Sequence, residues 1–545
     1  METITLVLVM FVAVIGSSML VRMLPFALPL PLIQIALGAA IGMASDWRLE
    51  LEPDVFFLLF LPPLLFLDGW RIPKEGLLRD KEMILALALG LVVFTVVGVG
   101  YFIHILIPSM PMPVAFALAA VISPTDPIAV SAIAKRVPIP KRLMHVLEGE
   151  SLLNDASGLV CLRFAIAATL TGSFSLSEAG ISFIQLALGG VAIGVSVTWV
   201  ITRLKEWVSR RFGEETGAQI LISLLIPFVA YLAAEHGGCS GILAAVAAGI
   251  SMSYTELSGR ALAVTRVRRT AVWDLLQFAL NGLIFVLLGE QLPGIVSGAA
   301  DVVRETGHHE PIWLLVYVIV INIALGALRF AWVWLSIRFT LYRRRAEAPR
   351  SLWRVAAVTS VAGARGTITL AGVLTLPLVM TDGSPFPARD LAICLAAGVI
   401  IVSLIIASIF MPMLLKNGLD LPAEPEHETE MDRARDIAAR AAIRAIEKAQ
   451  HEMSEGRPDA DRYIEAAGRI ADLYRYRIDT RAKLAVGEER QNAAKIEEIE
   501  RQLRLAGLRA ERDELFRLVR RNRLEEEVAR RLIREIDLME AQQAG

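Results

Sequence analysis

Through the first ~420 residues the chain alternates long apolar runs with short polar loops, most runs being 17 or more residues long. A helix of that length crosses a ~30 Å hydrocarbon core. The pattern therefore predicts an all-α polytopic membrane protein with about thirteen spans, at 3–20, 28–44, 53–69, 83–107, 111–134, 142–170, 182–202, 217–234, 241–254, 271–292, 312–337, 353–378 and 390–415. The loops bear on the count. One alternating set carries Arg71, Lys74, Arg79 and Lys81, then Lys135 and Arg136, Arg203 to Arg211, Arg260 to Arg269, and Arg343 to Arg350. The other set holds only Arg48, Arg304 and Arg389. By the positive-inside rule the N-terminus lies outside and the C-terminal region in the cytoplasm, which an odd number of spans requires.

After residue 418 the pattern changes. Residues 419–431 read as a Pro/Glu-rich linker and 432–545 as soluble helix, with apolar stripes at Ile464, Ala467, Ala471, Tyr474 and Ile478, at Ile496, Ile499, Leu503 and Ala506, and at Leu524, Val528, Leu532 and Ile536. Spacings of three and four favour helix-on-helix packing, as an antiparallel hairpin or a coiled coil between protomers. The overall net charge of −1 averages these two materials and says little about partners. Cys161, Cys239 and Cys394 are isolated in apolar sequence, which argues against a disulfide framework or thiolate metal site. Neither a nucleotide-binding glycine motif nor a nucleic-acid signature appears. The first run follows Met1-Glu2 with no basic region or cleavage site and reads as a span, not a signal peptide.

Two predicted spans are interrupted. The fifth contains Ser123-Pro124-Thr125-Asp126-Pro127 and the twelfth Ala362-Gly363-Ala364-Arg365-Gly366-Thr367. Proline removes a backbone donor and clashes with the preceding turn. Unwound backbone at membrane depth survives only where protein or a watery cavity receives it. Lying seven spans apart, the two breaks run in opposite directions, as in an inverted-repeat transporter with its site at the midplane.

The sixth span carries Gly149-Glu150-Ser151-Leu152-Leu153-Asn154-Asp155. A carboxylate sunk in apolar sequence needs a proton, a cation or a partner. Asp155 offers hard oxygens for which a proton and Na⁺, K⁺ or Li⁺ compete. Ser151, one turn earlier, shares its helical face, and Thr125 adds a second hydroxyl. Asn154 brings an uncharged amide. Glu150 and Arg365 are expected to form a structural ion pair, with Glu150 as proton carrier the alternative. Arg329 and Asn281 are expected to find polar partners across helices, and Arg163 to snorkel outward. Asp68 is either a boundary residue or part of the site. His145 is a weak pH-sensor candidate, and His308 and His309 read as solvated.

These stretches resemble the sodium/proton exchanger family, on the electroneutral branch of the cation:proton antiporters. Gly-Glu-Ser-Leu-Leu-Asn-Asp at 149–155, Thr-Asp-Pro at 125–127 and Gly-Ala-Arg-Gly at 363–366 are similar to its signatures, in order, within residues 1–415. The resemblance implies Na⁺/H⁺ exchange by an elevator-like movement, in a homodimer of the plasma membrane, without a cofactor. It implies that Asp155 carries cation and proton, that Thr125 and Ser151 ligate Na⁺, and that Asp126 balances half-helix dipoles. It also implies one-for-one exchange, because Asn154 stands where the electrogenic branch has a second aspartate. The family's third-span acid corresponds to Leu67, one residue before Asp68. From its own pattern the C-terminal region reads as a solubilising helical tail or as a regulatory or dimer-supporting module, its cytosolic regulator unknown. An intramembrane aspartyl protease using Asp126 and Asp155, or a cation channel, are the rival readings. The protease lacks a Gly-x-Gly-Asp context and the channel a filter or charged ring.

Overall fold

The computed structural model describes residues 2–23, 28–44, 53–126, 130, 141–172, 176–256, 262–305, 310, 312–344, 352–380, 382–415, 427–455, 460–483, 488–521, 523–524 and 526–544. These fall into two compact units, Met1–Leu421 and Pro422–Gly545.

Among the described residues of the first unit the regular secondary structure is all helical, apart from one isolated β-bridge, Val379 to Pro385. Its helices are α1 (Glu2–Met23), α2 (Leu30–Ala44), α3 (Pro53–Arg71), α4 (Lys74–Arg79), α5 (Lys81–Leu85) and α6 (Val92–Leu106), the last two joined by a π-helical stretch at Ala86–Leu91. Next come α7 (Met112–Ile122), α8 (Lys141–Thr171), α9 (Leu176–Phe212), α10 (Thr216–His236), α11 (Gly241–Glu256), α12 (Ala263–Glu305) and α13 (Ile312–Arg344). The unit closes with α14 (Leu352–Val361), α15 (Thr367–Leu374) and α16 (Arg389–Leu415). Among the described residues each predicted span overlaps helix, the fifth through Met112–Ile122 and the twelfth through Leu352–Val361 and Thr367–Leu374. Among the described residues eight helical segments are long and apolar enough to cross a bilayer, and α2 and α7 are shorter apolar helices. Helices suit this setting because they satisfy their own backbone polar groups. Large side chains such as Leu188, Trp199 and Leu204 stand exposed on α9, as a surface meeting lipid permits.

Small residues hold two helix pairs at backbone contact. On α2 and α12, a Cβ at Gly38 would lie 2.0 Å from the Val286 carbonyl oxygen, and one at Gly289 2.0 Å from that of Ile35. On α3 and α11, a Cβ at Gly249 would meet the Phe66 carbonyl oxygen at 2.0 Å. Where lipid removes most of the hydrophobic drive between helices, such close approach supplies the packing. The pairs fix α3 and α12 as one wall of the site.

The other wall holds the interruptions. The helix α7 stops at Ile122 and the chain runs non-helically through Ser123–Asp126; residues 127–129 and 131–140, which include the rest of the predicted 111–134 span save Val130, lie outside the described residues. Between α14 and α15 the backbone is likewise open from Ala362 to Gly366. The two openings cross: the Asp126 N–H donates to the Ala364 carbonyl at 2.7 Å.

The second unit contains α17 (His427–Ser454), α18 (Ala460–Lys483), α19 (Glu488–Arg520) and α20 (Glu526–Ala544). The first of these begins inside the 419–431 stretch expected to be linker. Arg475 pairs with Glu447 between α17 and α18 at 3.6 Å, and Arg512 with Asp537 between α19 and α20 at 2.9 Å. Ala471 and Ile536 of the predicted stripes are buried, whereas Ile464, Ile499, Leu503, Val528 and Leu532 remain exposed.

Candidate functional site

Helical register decides what α8 presents to the crossing. Ser151 and Asp155, four apart, face a cavity of about 50 Å³ that is also lined by Thr125, Asp126, Gly366 and Thr369 from the interrupted segments. Across the cavity stand Leu64, Leu65 and Asp68 of α3, with Gln277 and Asn281 of α12. Asp155 is 6% exposed and Ser151 8%. Asp68, by contrast, is open to solvent on its helix and looks into the same cavity as Asp155.

Glu150 and Asn154, also four apart, point away from the cavity into a polar network. The Asn154 amide donates to Thr125 Oγ1 at 3.0 Å, and the Thr125 hydroxyl donates to Glu150 Oε1 at 3.4 Å. A hydroxyl has one proton and two lone pairs. With the proton committed to Glu150 and one lone pair to Asn154, Thr125 keeps one acceptor position for the cavity. Asn154 is thus placed one step behind the cavity and acts through Thr125. Its Oδ1 is buried without a hydrogen-bond partner among the described residues.

The expected Glu150–Arg365 pair does not form. Glu150 is paired instead with Arg329 of α13: Nη1 reaches Oε1 and Nη2 donates to Oε2 at 2.8 Å, with Nε donating to the Thr359 carbonyl at 3.0 Å. Both side chains are buried, 1% and 3% exposed. The fork geometry of guanidinium on carboxylate makes such a pair specific. Arg365 has other work. Its Nε donates to the Ile122 carbonyl at 2.9 Å and its Nη1 to that of Gly363. The ends of α7 and α14 leave orphan carbonyls and partial negative charge, and one guanidinium answers both. The Arg365 N–H is in turn held by Ser403 Oγ at 3.0 Å.

Asp126 sits against the start of α15. A Cβ added at Gly366, the residue capping that helix, would fall 1.8 Å from Asp126 Oδ2 and 2.5 Å from its Cβ. The site therefore requires glycine there, and the carboxylate lies where the positive end of α15 favours it. For the exchange that the resemblance implies, Gly366→Ala is expected to lower the rate at least tenfold with the protein still folded, because Asp126 must leave the crossing. Transport assays of the purified variant, eluting as a single species, check this. Gly158 gives room of a similar kind, its absent Cβ making space for Pro124 at 2.4 Å so that α8 nests against the first break.

Other expectations fall elsewhere. Arg163 pairs with Glu235 at 2.9 Å in place of snorkelling. Asn281 lines the cavity. His145 packs beside Gly76, away from the cavity, while His308 and His309 lie outside the described residues. Besides Thr369, Gln277 is the polar cavity residue that sequence reading passed over. Its spacing of four from Asn281 on an otherwise apolar helix is the signal that could have found it.

Residues 7–417 match the profile of the family described as sodium/hydrogen exchanger, transmembrane. An Escherichia coli K12 protein named as an uncharacterized Na⁺/H⁺ exchanger, YjcE, is 40% identical over 99% of both chains. A Bacillus pumilus sodium, potassium, lithium and rubidium/H⁺ antiporter is 38% identical over 97% of this chain and 76% of its own length. The fold is similar to that of the sodium proton antiporter MjNhaP1 of Methanocaldococcus jannaschii, with a TM-score of 0.57 at 17% identity over 76% of this chain and 98% of that one.

Proposed function

The chain belongs to the sodium/hydrogen exchanger family, and on that premise we propose that Asp155 is the carboxylate that holds a monovalent cation and a proton in turn. The protein is a multi-pass membrane antiporter, not an enzyme, and exchange needs no cofactor. What supports Asp155 is its place: a buried carboxylate on the cavity where both interrupted segments cross, with Ser151 and Thr125 beside it. Hard oxygens of this kind suit Na⁺, and the three residues are read as its ligands. Asp126 shares the cavity and stays tied to the start of α15. Asp68, on the opposite wall, is read as the carboxylate the ion meets on its way in.

In this reading the wall built on α7, α8, α14 and α15 moves against the wall of α3 and α12, so that the cavity opens alternately to each side. Asn154 adds no charge, so one cation is traded for one proton. Arg329 and Glu150 hold the crossing as a buried ion pair. The protein sits in the plasma membrane as a homodimer, N-terminus outside and C-terminal unit in the cytoplasm. The exposed apolar residues Ile464 on α18, Ile499 and Leu503 on α19, and Val528 and Leu532 on α20 offer helical surface for a second copy or for a cytosolic regulator.

Competition at one set of oxygens fixes a sign for the pH dependence. As pH falls, protons occupy the Asp155 carboxylate and the apparent KM for the cation rises, while saturating cation restores the rate. Proton efflux from proteoliposomes, measured against Na⁺, K⁺ and Li⁺ across pH at clamped membrane potential, tests this together with neutrality. Insensitivity of KM to pH, or a rate that follows the potential, would remove the one-site, one-for-one scheme. The same series settles whether K⁺ joins Na⁺, as the name of the Bacillus pumilus relative would suggest.

A further inference from the structure

One cation at the mouth of the cavity plays no part in the exchange scheme. Arg71 follows Asp68 by three residues on α3, so the two share a helical face, and they lie within electrostatic range. Its guanidinium is turned toward α12, where Nη1 donates to Gln277 Oε1 at 2.8 Å and Nη2 pairs with Asp274 Oδ1. Asp274, Gln277 and Asn281 recur at spacings of three and four, so one face of α12 leads from Asp274 into the cavity, which Gln277 and Asn281 line. The clamp is loose: the Arg71 side chain is 37% exposed and that of Asp274 58%. Exposed ion pairs are weakly held and screened by salt, unlike the buried Glu150–Arg329 pair. Three residues back, Asp68 offers a second carboxylate, open to the cavity.

We propose that Arg71 is a movable gate charge at the mouth of the ion cavity, and that Asp274, helped by Gln277, holds it aside while a cation passes. Released, the guanidinium turns to Asp68. It then occupies the carboxylate that an entering cation meets and sets a positive charge in its way. Asp274 is a positioning residue, acting on the ion through Arg71. The inference rests on the cavity being the ion site.

The test is Na⁺-dependent proton movement in proteoliposomes for the parent, Asp274→Asn, Arg71→Gln and the double variant. Asp274→Asn is expected to raise the apparent KM for Na⁺ about threefold to fivefold at low ionic strength, the range open to a weakly held pair, and to leave the maximal rate within about twofold. Arg71→Gln alone leaves KM equal or lower, and the double variant returns to the Arg71→Gln value. An unchanged KM in Asp274→Asn overturns the gate. So does a double variant as impaired as Asp274→Asn, which would make Asp274 itself the cation attractor. A structural role would lower stability without this dependence on Arg71. Asp155→Asn, assayed alongside, separates the two readings. Retained exchange there defeats the site assignment while the KM pattern still judges the gate.

Discussion

Asp155→Asn is expected to abolish cation-driven proton movement while the protein still inserts and folds. Asparagine keeps the size of the side chain and loses both the charge and the exchangeable proton. At about 4 Å and an effective dielectric of about 20, the attraction between a carboxylate and a monovalent cation is on the order of 4 kcal/mol. Losing it lowers cation affinity about a thousandfold, and Ser151 and Thr125 offer only neutral oxygens in return. Stability should hold or improve, since a neutral amide is less costly to bury than a carboxylate. Exchange in reconstituted vesicles, set beside thermal unfolding in detergent, checks both halves. Full activity in the variant would sink the assignment.

Much of this arrangement was legible because lipid simplifies the code. Apolar runs long enough to span had little choice but to become helices, and Pro124 with Pro127 on one side and Gly363 with Gly366 on the other marked where helices had to open. The period of α8 already separated Ser151 and Asp155 from Glu150 and Asn154. What the sequence could not reveal was partner choice across long separations. Glu150 had two arginines within apolar sequence to choose from, and the nearer-looking one lay in a signature stretch. Arg365 was unavailable because the two helix ends it caps exist only once the breaks cross, a tertiary event. Arg329, 179 residues from Glu150 along the chain, carried no local sign of its partner beyond being a charge in a membrane span. Asp68 illustrates the converse. Its one-residue offset from the family position suggested a turn of ~100° away from the ion, yet the cavity extends along α3 far enough to reach it. Packing of α3 on α11 through Gly69 and Gly249 sets that rotation, and no local pattern encodes it.

Partner choice can be measured directly. A double-mutant cycle on Glu150→Gln and Arg329→Met is expected to show strong coupling, and one on Glu150→Gln and Arg365→Met weak coupling. Each single substitution at Glu150 or Arg329 strands a buried charge, at a cost of about 3–5 kcal/mol. Removing both leaves no charge stranded, and uncharged replacements of similar volume often recover most of that loss. The double variant at 150 and 329 should therefore unfold at a higher temperature than either single variant. Glu150 and Arg365 interact only through space, with the guanidinium held by the carbonyls of Ile122 and Gly363. Their effects should then nearly add, because the substituted groups share no hydrogen bond. Transport adds a second discriminator. With Arg365→Met the ends of α7 and α14 lose their cap and the crossing loosens, so exchange falls whatever stands at 150. With the 150/329 double variant the crossing keeps its cap, and the amide oxygen at 150 can still accept from Thr125 but is no longer fixed by Arg329, so residual exchange with a raised KM for the cation is the expected signature. Strong coupling between 150 and 365, with none between 150 and 329, would restore the pairing that the sequence alone suggests.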